Sequence, residues 1–217
     1  MTPRRRTPQR RAAGSAVLSD EVTEAIRDAV FAELAETGYA RMSMEAVARR
    51  ARAGKAAIYR RWPSKAAMVL AMVSQVAANP PDFPDTGSLR GDILKLLELS
   101  AGAFRLPTIS RIVPDLLAEG SRDPEFGTAM FRAVGEPRRA LGREMIVRAI
   151  ERGELDEDLD MELVLDLIPA PLYWRLAVTR REVSEEYLER LTTAILAGIR
   201  ASAAPNAATA AAAGVVP

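Results

Sequence analysis

No cysteine and no histidine occur among the 217 residues. Disulfides, zinc sites of the usual Cys/His kind and Cys or His nucleophile–base pairs are therefore excluded. Catalysis would have to rest on carboxylates, lysine or tyrosine, and neither an enzyme activity nor a cofactor or metal is expected. No apolar run approaches the roughly 18 uninterrupted residues of a membrane span. The basic N-terminus lacks the apolar stretch of a secretory signal, so a cytoplasmic protein with no membrane partner is expected. Aromatic residues are only 5% of the chain, yet hydrophobic residues reach 48%, ample for a core.

The near-neutral net charge of +1 conceals an imbalance. Of 30 basic side chains, 14 fall within residues 1–65 against 7 acids, and the other 16 face 22 acids beyond residue 65. A head of +7 on a body of −6 suits a head that meets a polyanion, though a solubilising terminus has the same signature. Residues 1–17 hold five arginines among Pro, Thr, Gln and Gly and are expected to be a disordered basic arm. Residues 202–217 are half alanine and carry no charge, with no second face to pack, and are expected to be a disordered tail.

Between these ends every pattern is helical. Ser19 can cap a helix with Asp20 and Glu21 in its first turn, an apolar stripe of Val22, Ile26, Val30 and Leu34, and Gly38 as its stop. Ser43 opens a short second helix, Lys55 to Trp62 form a third, and Pro63-Ser64 start a fourth running through Val69, Met72 and Val76 to about Ala78. The proline-rich stretch 79–84 cannot continue a helix and marks a junction between a unit at 18–79 and one at 85–201. Beyond it, Leu89, Ile93, Leu96, Leu97, Ser100 and Phe104 define one helix, and others fit about 108–119, 123–152, 159–180 and 184–200. Pro114, Pro137, Pro169 and Pro171 fall inside these patterns and should kink or interrupt them. The fold class is all-α, with about nine helices.

The informative stretch runs from Ser43 to Lys65. Two short helices around Ala51-Arg52-Ala53 make a helix-turn-helix, with Ile58 and Trp62 anchoring the second one inward. The opposite arc presents Lys55, Ala56, Tyr59 and Arg60. A small residue permits close approach to a major groove, an arginine can fork onto guanine, and the flanking groups can hold phosphates. Lys65 lies beside the Ser64 cap, among amides that themselves attract phosphate. A plain three-helix unit with a solvated basic face has the same pattern.

The run from Ala46 to Met68 resembles the DNA-binding module of TetR/AcrR-type regulators. Ala48, Lys55, Ile58, Tyr59, Trp62, Ser64 and Lys65 carry the likeness, with Gly38-Tyr39 ending the first helix as in that family. The resemblance implies an N-terminal three-helix DNA-binding domain, a larger helical ligand-binding and dimerisation domain, a homodimer, a palindromic double-stranded DNA operator and a small-molecule effector. It places Ser43, Lys55, Tyr59, Arg61 and Lys65 on phosphates and Ala56, Ala57 and Arg60 nearest the bases, with Arg52 in the turn beside them. Three residues depart from the family pattern. Arg52 replaces a turn glycine, Gly54 replaces the serine that caps the recognition helix, and Ala57 replaces a polar residue. These departures favour a second reading, an all-helical ligand-binding or adaptor protein that keeps the helix-turn-helix shape without reading DNA.

In the C-terminal part, Ile168 to Leu176 with Val178-Thr179, and Arg152 to Leu155, look like one C-terminal subtype of the same family. By that likeness the last two helices pair with their copies as a dimer interface. The stripe Leu188, Leu191, Ile195 and Ile199 suits an interface or an intramolecular core equally. Phe104, Leu117, Met130, Val134, Tyr173 and Trp174 are the candidates for lining an effector cavity, although residues so spaced are also ordinary core. The kinked helices are candidate bistable elements linking that cavity to the DNA-reading heads. The acidic run Asp156 to Asp160 could hold a cation, and reads better as a solvated loop and helix cap.

Overall fold

Side-chain oxygens set most of the helix starts. In the computed structural model, which describes residues 20–78 and 83–202, Ser43, Ser64, Ser88, Asp123, Asp160 and Ser184 each accept an amide proton from a residue two or three positions on. Each thereby satisfies a donor that the first turn leaves orphaned. Asp160, from the acidic run, is such a cap, accepting from Leu163 N–H at 3.0 Å. The cap expected at Ser19, the basic arm and nearly all of the alanine-rich tail lie outside the described residues.

The helices are α1 (Asp20–Arg41), α2 (Met44–Arg50), α3 (Lys55–Arg61), α4 (Lys65–Ala78), α5 (Leu89–Phe104) and α6 (Pro107–Arg122). They continue with α7 (Pro124–Met130), α8 (Glu136–Glu151), α9 (Met161–Leu167), α10 (Ala170–Tyr173) and α11 (Glu185–Ala201). A π-turn, Phe131–Gly135, joins α7 to α8, and a second, Trp174–Val178, extends α10. There is no strand among the described residues. Counting rods that run on through turns, the described residues form the expected set of about nine helices.

The prolines act unequally. Pro137 follows a π-turn, the wider backbone ring relieving the clash between its pyrrolidine and the preceding turn. Pro169 stands at the break between α9 and α10, and Pro171 precedes the second π-turn. Pro114 sits inside α6 without ending it, so an interruption there is corrected.

Two apolar clusters divide the interior. Ile26, Val30, Leu34, Val47, Ile58, Trp62, Met68, Val69 and Met72 bind α1–α4 together, while Val76, expected on that stripe, is exposed. Ile112 and Leu116 of α6 and Phe126 of α7 belong to this same cluster. The junction read from the prolines therefore separates the chain in sequence but not in packing. The second cluster joins α5 and α8–α11, and Leu188, Ile195 and Ile199 are buried in it with Leu191 packed alongside. The α11 stripe is thus intramolecular core.

The link between the halves is specific as well as apolar. Gly38 takes φ 77°, a left-handed turn that ends the main run of α1. This exposes the Tyr39 amide, which donates to Asp115 Oδ2 of α6 at 2.6 Å. The Tyr39 ring, 6% exposed, packs at 4.7 Å between centroids on Phe126 of α7. Replacing Asp115 by Ala leaves that amide without its partner and should lower unfolding free energy by about 1–3 kcal/mol. Urea denaturation measures this, and an unchanged midpoint would mean that α6 docks through its apolar residues alone.

Candidate nucleic-acid interface

The helix-turn-helix is held from behind. Ile58 is fully buried and Trp62 is 5% exposed, so one face of α3 is fixed against α1, α2 and α4. Arg50 at the end of α2 forks onto α1, donating to Glu33 at 3.0 Å and to both oxygens of Glu36. Glu33 is a buried carboxylate, and this pairing compensates its charge. Arg61 donates to Thr23 Oγ1 at 3.0 Å and lies over the Trp62 ring at 4.9 Å, tying the end of α3 to α1.

The turn between α2 and α3 has a definite form. Ala53 N–H bonds to Ala48 C=O at 3.0 Å and Arg52 N–H to Arg49 C=O at 3.3 Å. This double closure is a Schellman motif, whose central residue must be left-handed and is usually glycine. Here it is Arg52, at φ 51°. That left-handed backbone strains a residue with a Cβ, and the Arg52 side chain is exposed. Gly54 caps α3 without a side-chain bond, as the missing serine implies.

Forward of this scaffold, Lys55, Ala56, Tyr59 and Arg60 are exposed and Ala57 is half-buried, so one arc of α3 carries them all. Ser43 Oγ caps α2 and accepts from Ala46 N–H at 3.1 Å. Lys65 is placed differently from a freely projecting phosphate ligand. Its Nζ donates to the Tyr39 carbonyl at 2.7 Å and lies 4.2 Å over the Tyr39 ring, securing the last turn of α1.

One participant escaped the sequence reading. Glu45, near the start of α2, takes the Lys55 ammonium at 2.7 Å and the Tyr59 hydroxyl at 2.9 Å on the same oxygen, Oε1. The Lys55 hydrogen bond, then its own backbone amide and the Tyr59 hydroxyl, pull its carboxyl down to about 2. The same contacts hold the Lys55 and Tyr59 pKa values up. In sequence Glu45 is merely an acid in a first helical turn, with no periodicity linking it to α3.

The six effector-cavity candidates do not converge. Phe104 and Tyr173 meet edge to face at 6.3 Å, both half-buried, and burial pushes the Tyr173 phenol up. Met130 packs instead against the α1–α4 cluster, and Val134 lies in the first π-turn. Leu117 and Trp174 are 48% and 61% exposed. Helical spacing gave their rotational phase, and within the described residues of one chain no neighbouring helix covers that side. Two surface hollows of about 380 and 260 Å³ lie elsewhere, along α7 beside Glu125 and Arg132, and beside Glu154 and Arg200.

A buried-backed α3 with a basic, small-residue front, set on a helical body, defines a helix-turn-helix protein. Family models agree on both parts. Residues 26–72 match bacterial regulatory proteins of the tetR family, and residues 83–195 match the tetracyclin repressor-like C-terminal domain. An uncharacterized HTH-type transcriptional regulator of Bacillus subtilis, YdeS, is 31% identical over 186 residues, 85% of this chain and 93% of that protein. A DNA-binding transcriptional repressor TetR of Mycobacteroides abscessus is 35% identical over 147 residues, 67% of this chain and 76% of that one. The crystal structure of the TetR family transcription regulator SCO0332 superposes with a TM-score of 0.64 at 31% identity, covering 83% of this chain and 99% of the other. The chain belongs to the TetR family of bacterial transcriptional regulators.

The strain at Arg52 has a measurable consequence. Arg52→Gly should stabilise the protein by about 1 kcal/mol, since glycine adopts the left-handed region freely. A urea midpoint at or below wild type would mean that the turn is not strained.

Proposed function

We propose that the chain works as a homodimer that represses transcription, each copy laying α3 in the major groove of one half of a palindromic operator. The observation that carries this reading is the arc of Lys55, Ala56, Tyr59 and Arg60, exposed on a helix whose other side is locked by Ile58 and Trp62. Lys55 and Tyr59 hold phosphates, joined by Ser43 and by the remaining donor capacity of Arg61 and Lys65. Arg60 reads a base edge, with Ala56 and Ala57 allowing the close approach it needs. Arg52 projects from the turn toward the backbone of the same half-site. No helix of the described residues is long and apolar enough to cross a membrane, and the proposed setting is the cytoplasm.

Two further parts complete the proposal. Leu163, Trp174 and Val178 are 50%, 61% and 50% exposed along the penultimate helical stretch, an apolar face suited to a second copy. A small, largely apolar effector wedges in beside Phe104 and Tyr173, where α5 ends and α10 passes. There it shifts α6, and α6 moves α1 through Asp115 and Tyr39.

Selection of bound fragments from a random DNA pool, followed by titration of the winner at several salt concentrations, tests the core of this reading. A recovered palindrome, with affinity falling steeply as salt rises, is the expected result. Weak binding without sequence preference would instead favour the adaptor reading. On the selected operator, Arg60→Ala should cost about 1–3 kcal/mol and relax preference at one base position per half-site. An equal loss on operator and random duplex would reduce Arg60 to a phosphate ligand. Trp174→Glu should convert a species of twice the 23.6 kDa chain mass into monomer in light scattering. A dimer undisturbed by that change would move the interface elsewhere.

A further inference from the structure

We propose that Glu45 is an intramolecular stand-in for a DNA phosphate, occupying the anion-binding groups of α3 until duplex displaces it. This rests on the DNA-binding reading above and adds a residue that sets its affinity. Two of the donors that reading assigns to phosphate, Lys55 Nζ and Tyr59 Oη, converge on one carboxylate oxygen, at 2.7 and 2.9 Å. Convergence of an ammonium and a hydroxyl on a single anionic oxygen is the arrangement a phosphate oxygen would require. The Lys55 ammonium also stands 5.7 Å over the Tyr59 ring, so the pair is assembled as a unit.

The contact is built to be exchanged. Side-chain exposure is 62% for Lys55 and 42% for Glu45, so an incoming phosphate can replace the carboxylate without opening the core. Glu45 also lies in the first turn of α2, where the helix dipole favours a negative charge and holds it in place when DNA is absent. Any duplex, whatever its sequence, must separate Glu45 from Lys55 and Tyr59 before the phosphate contacts form. Glu45 therefore lowers affinity for all DNA alike and limits idle adhesion of a basic head. Because salt weakens the internal pair as well, the penalty is largest at low ionic strength.

Fluorescence anisotropy of the full chain on a short random-sequence duplex, from about 50 to about 200 mM KCl, tests this without knowledge of the operator. Glu45→Gln keeps the side-chain shape and removes the charge. It should bind about three- to tenfold tighter at the low-salt end, with a log–log salt slope steeper by about one. General repulsion between Glu45 and DNA would also tighten binding, so the same change is made in a Lys55→Met, Tyr59→Phe background. There the gain should fall below about twofold, because the groups that Glu45 occupies are gone. A gain that persists undiminished in that background overturns the assignment, as does Glu45→Gln binding no tighter than a wild type that itself binds. Failure of both proteins to bind any duplex overturns the DNA reading, and the assignment with it.

Discussion

Tyr39 gives its amide proton to Asp115 of α6, receives the Lys65 ammonium on its carbonyl, and buries its ring against Phe126 of α7. Three elements therefore meet on one residue, and none of these contacts exists unless Gly38 turns left-handed. An unbroken α1 would keep the Tyr39 amide inside its own ladder and leave the Asp115 carboxylate without a donor. The position of the reading head on the helical body rests on that turn together with the packing of Ile112, Leu116 and Phe126 against α1–α4. A bond of 2.6 Å joins α6 to the end of α1, and Lys65 joins that same end to α4. Such short polar links suit a switch, because they have discrete made and broken states where apolar packing only slides.

The reading head shows a division of labour among its charges. Arg50, Arg61 and Lys65 are engaged with Glu33 and Glu36, Thr23 and the Tyr39 carbonyl, and so hold α2, α3 and α4 on α1. Lys55 is engaged with a carboxylate on the outer side of the same unit. The net +7 of residues 1–65 already subtracts these acids, so the pairing decides which cations face outward rather than how many are in surplus. What distinguishes the outward group is accessibility: the Lys55–Glu45 pair can part without loss of fold, whereas the Arg50 fork compensates a buried carboxylate.

Local chemistry explains which expectations held. Serine and aspartate caps marked the helix starts because capping depends on three or four consecutive residues. The strain at Arg52 was legible for the same reason, a turn of fixed form requiring one left-handed residue. The effector candidates are spread across different surroundings. Leu117, Met130 and Trp174 share a helical pattern with Phe104 and Tyr173, but burial depends on which neighbouring helix covers each side. Pro114 also obeyed its surroundings more than its propensity, remaining inside α6 where Ile112 and Leu116 pin that helix to α1.

The sequence alone determined the all-helical class, the helix starts, the inward phase of Ile26, Val30, Ile58 and Trp62, and the outward arc from Lys55 to Arg60. All of these rest on period, capping and charge, which act over a few residues. Tertiary structure alone decided that Asp115 meets Tyr39, that Lys65 closes α1, that Glu45 faces Lys55 and Tyr59, and that the α11 stripe is buried within one chain. Each of those joins residues from different helices. Their meeting depends on helix crossings set by the whole core, which no local pattern encodes.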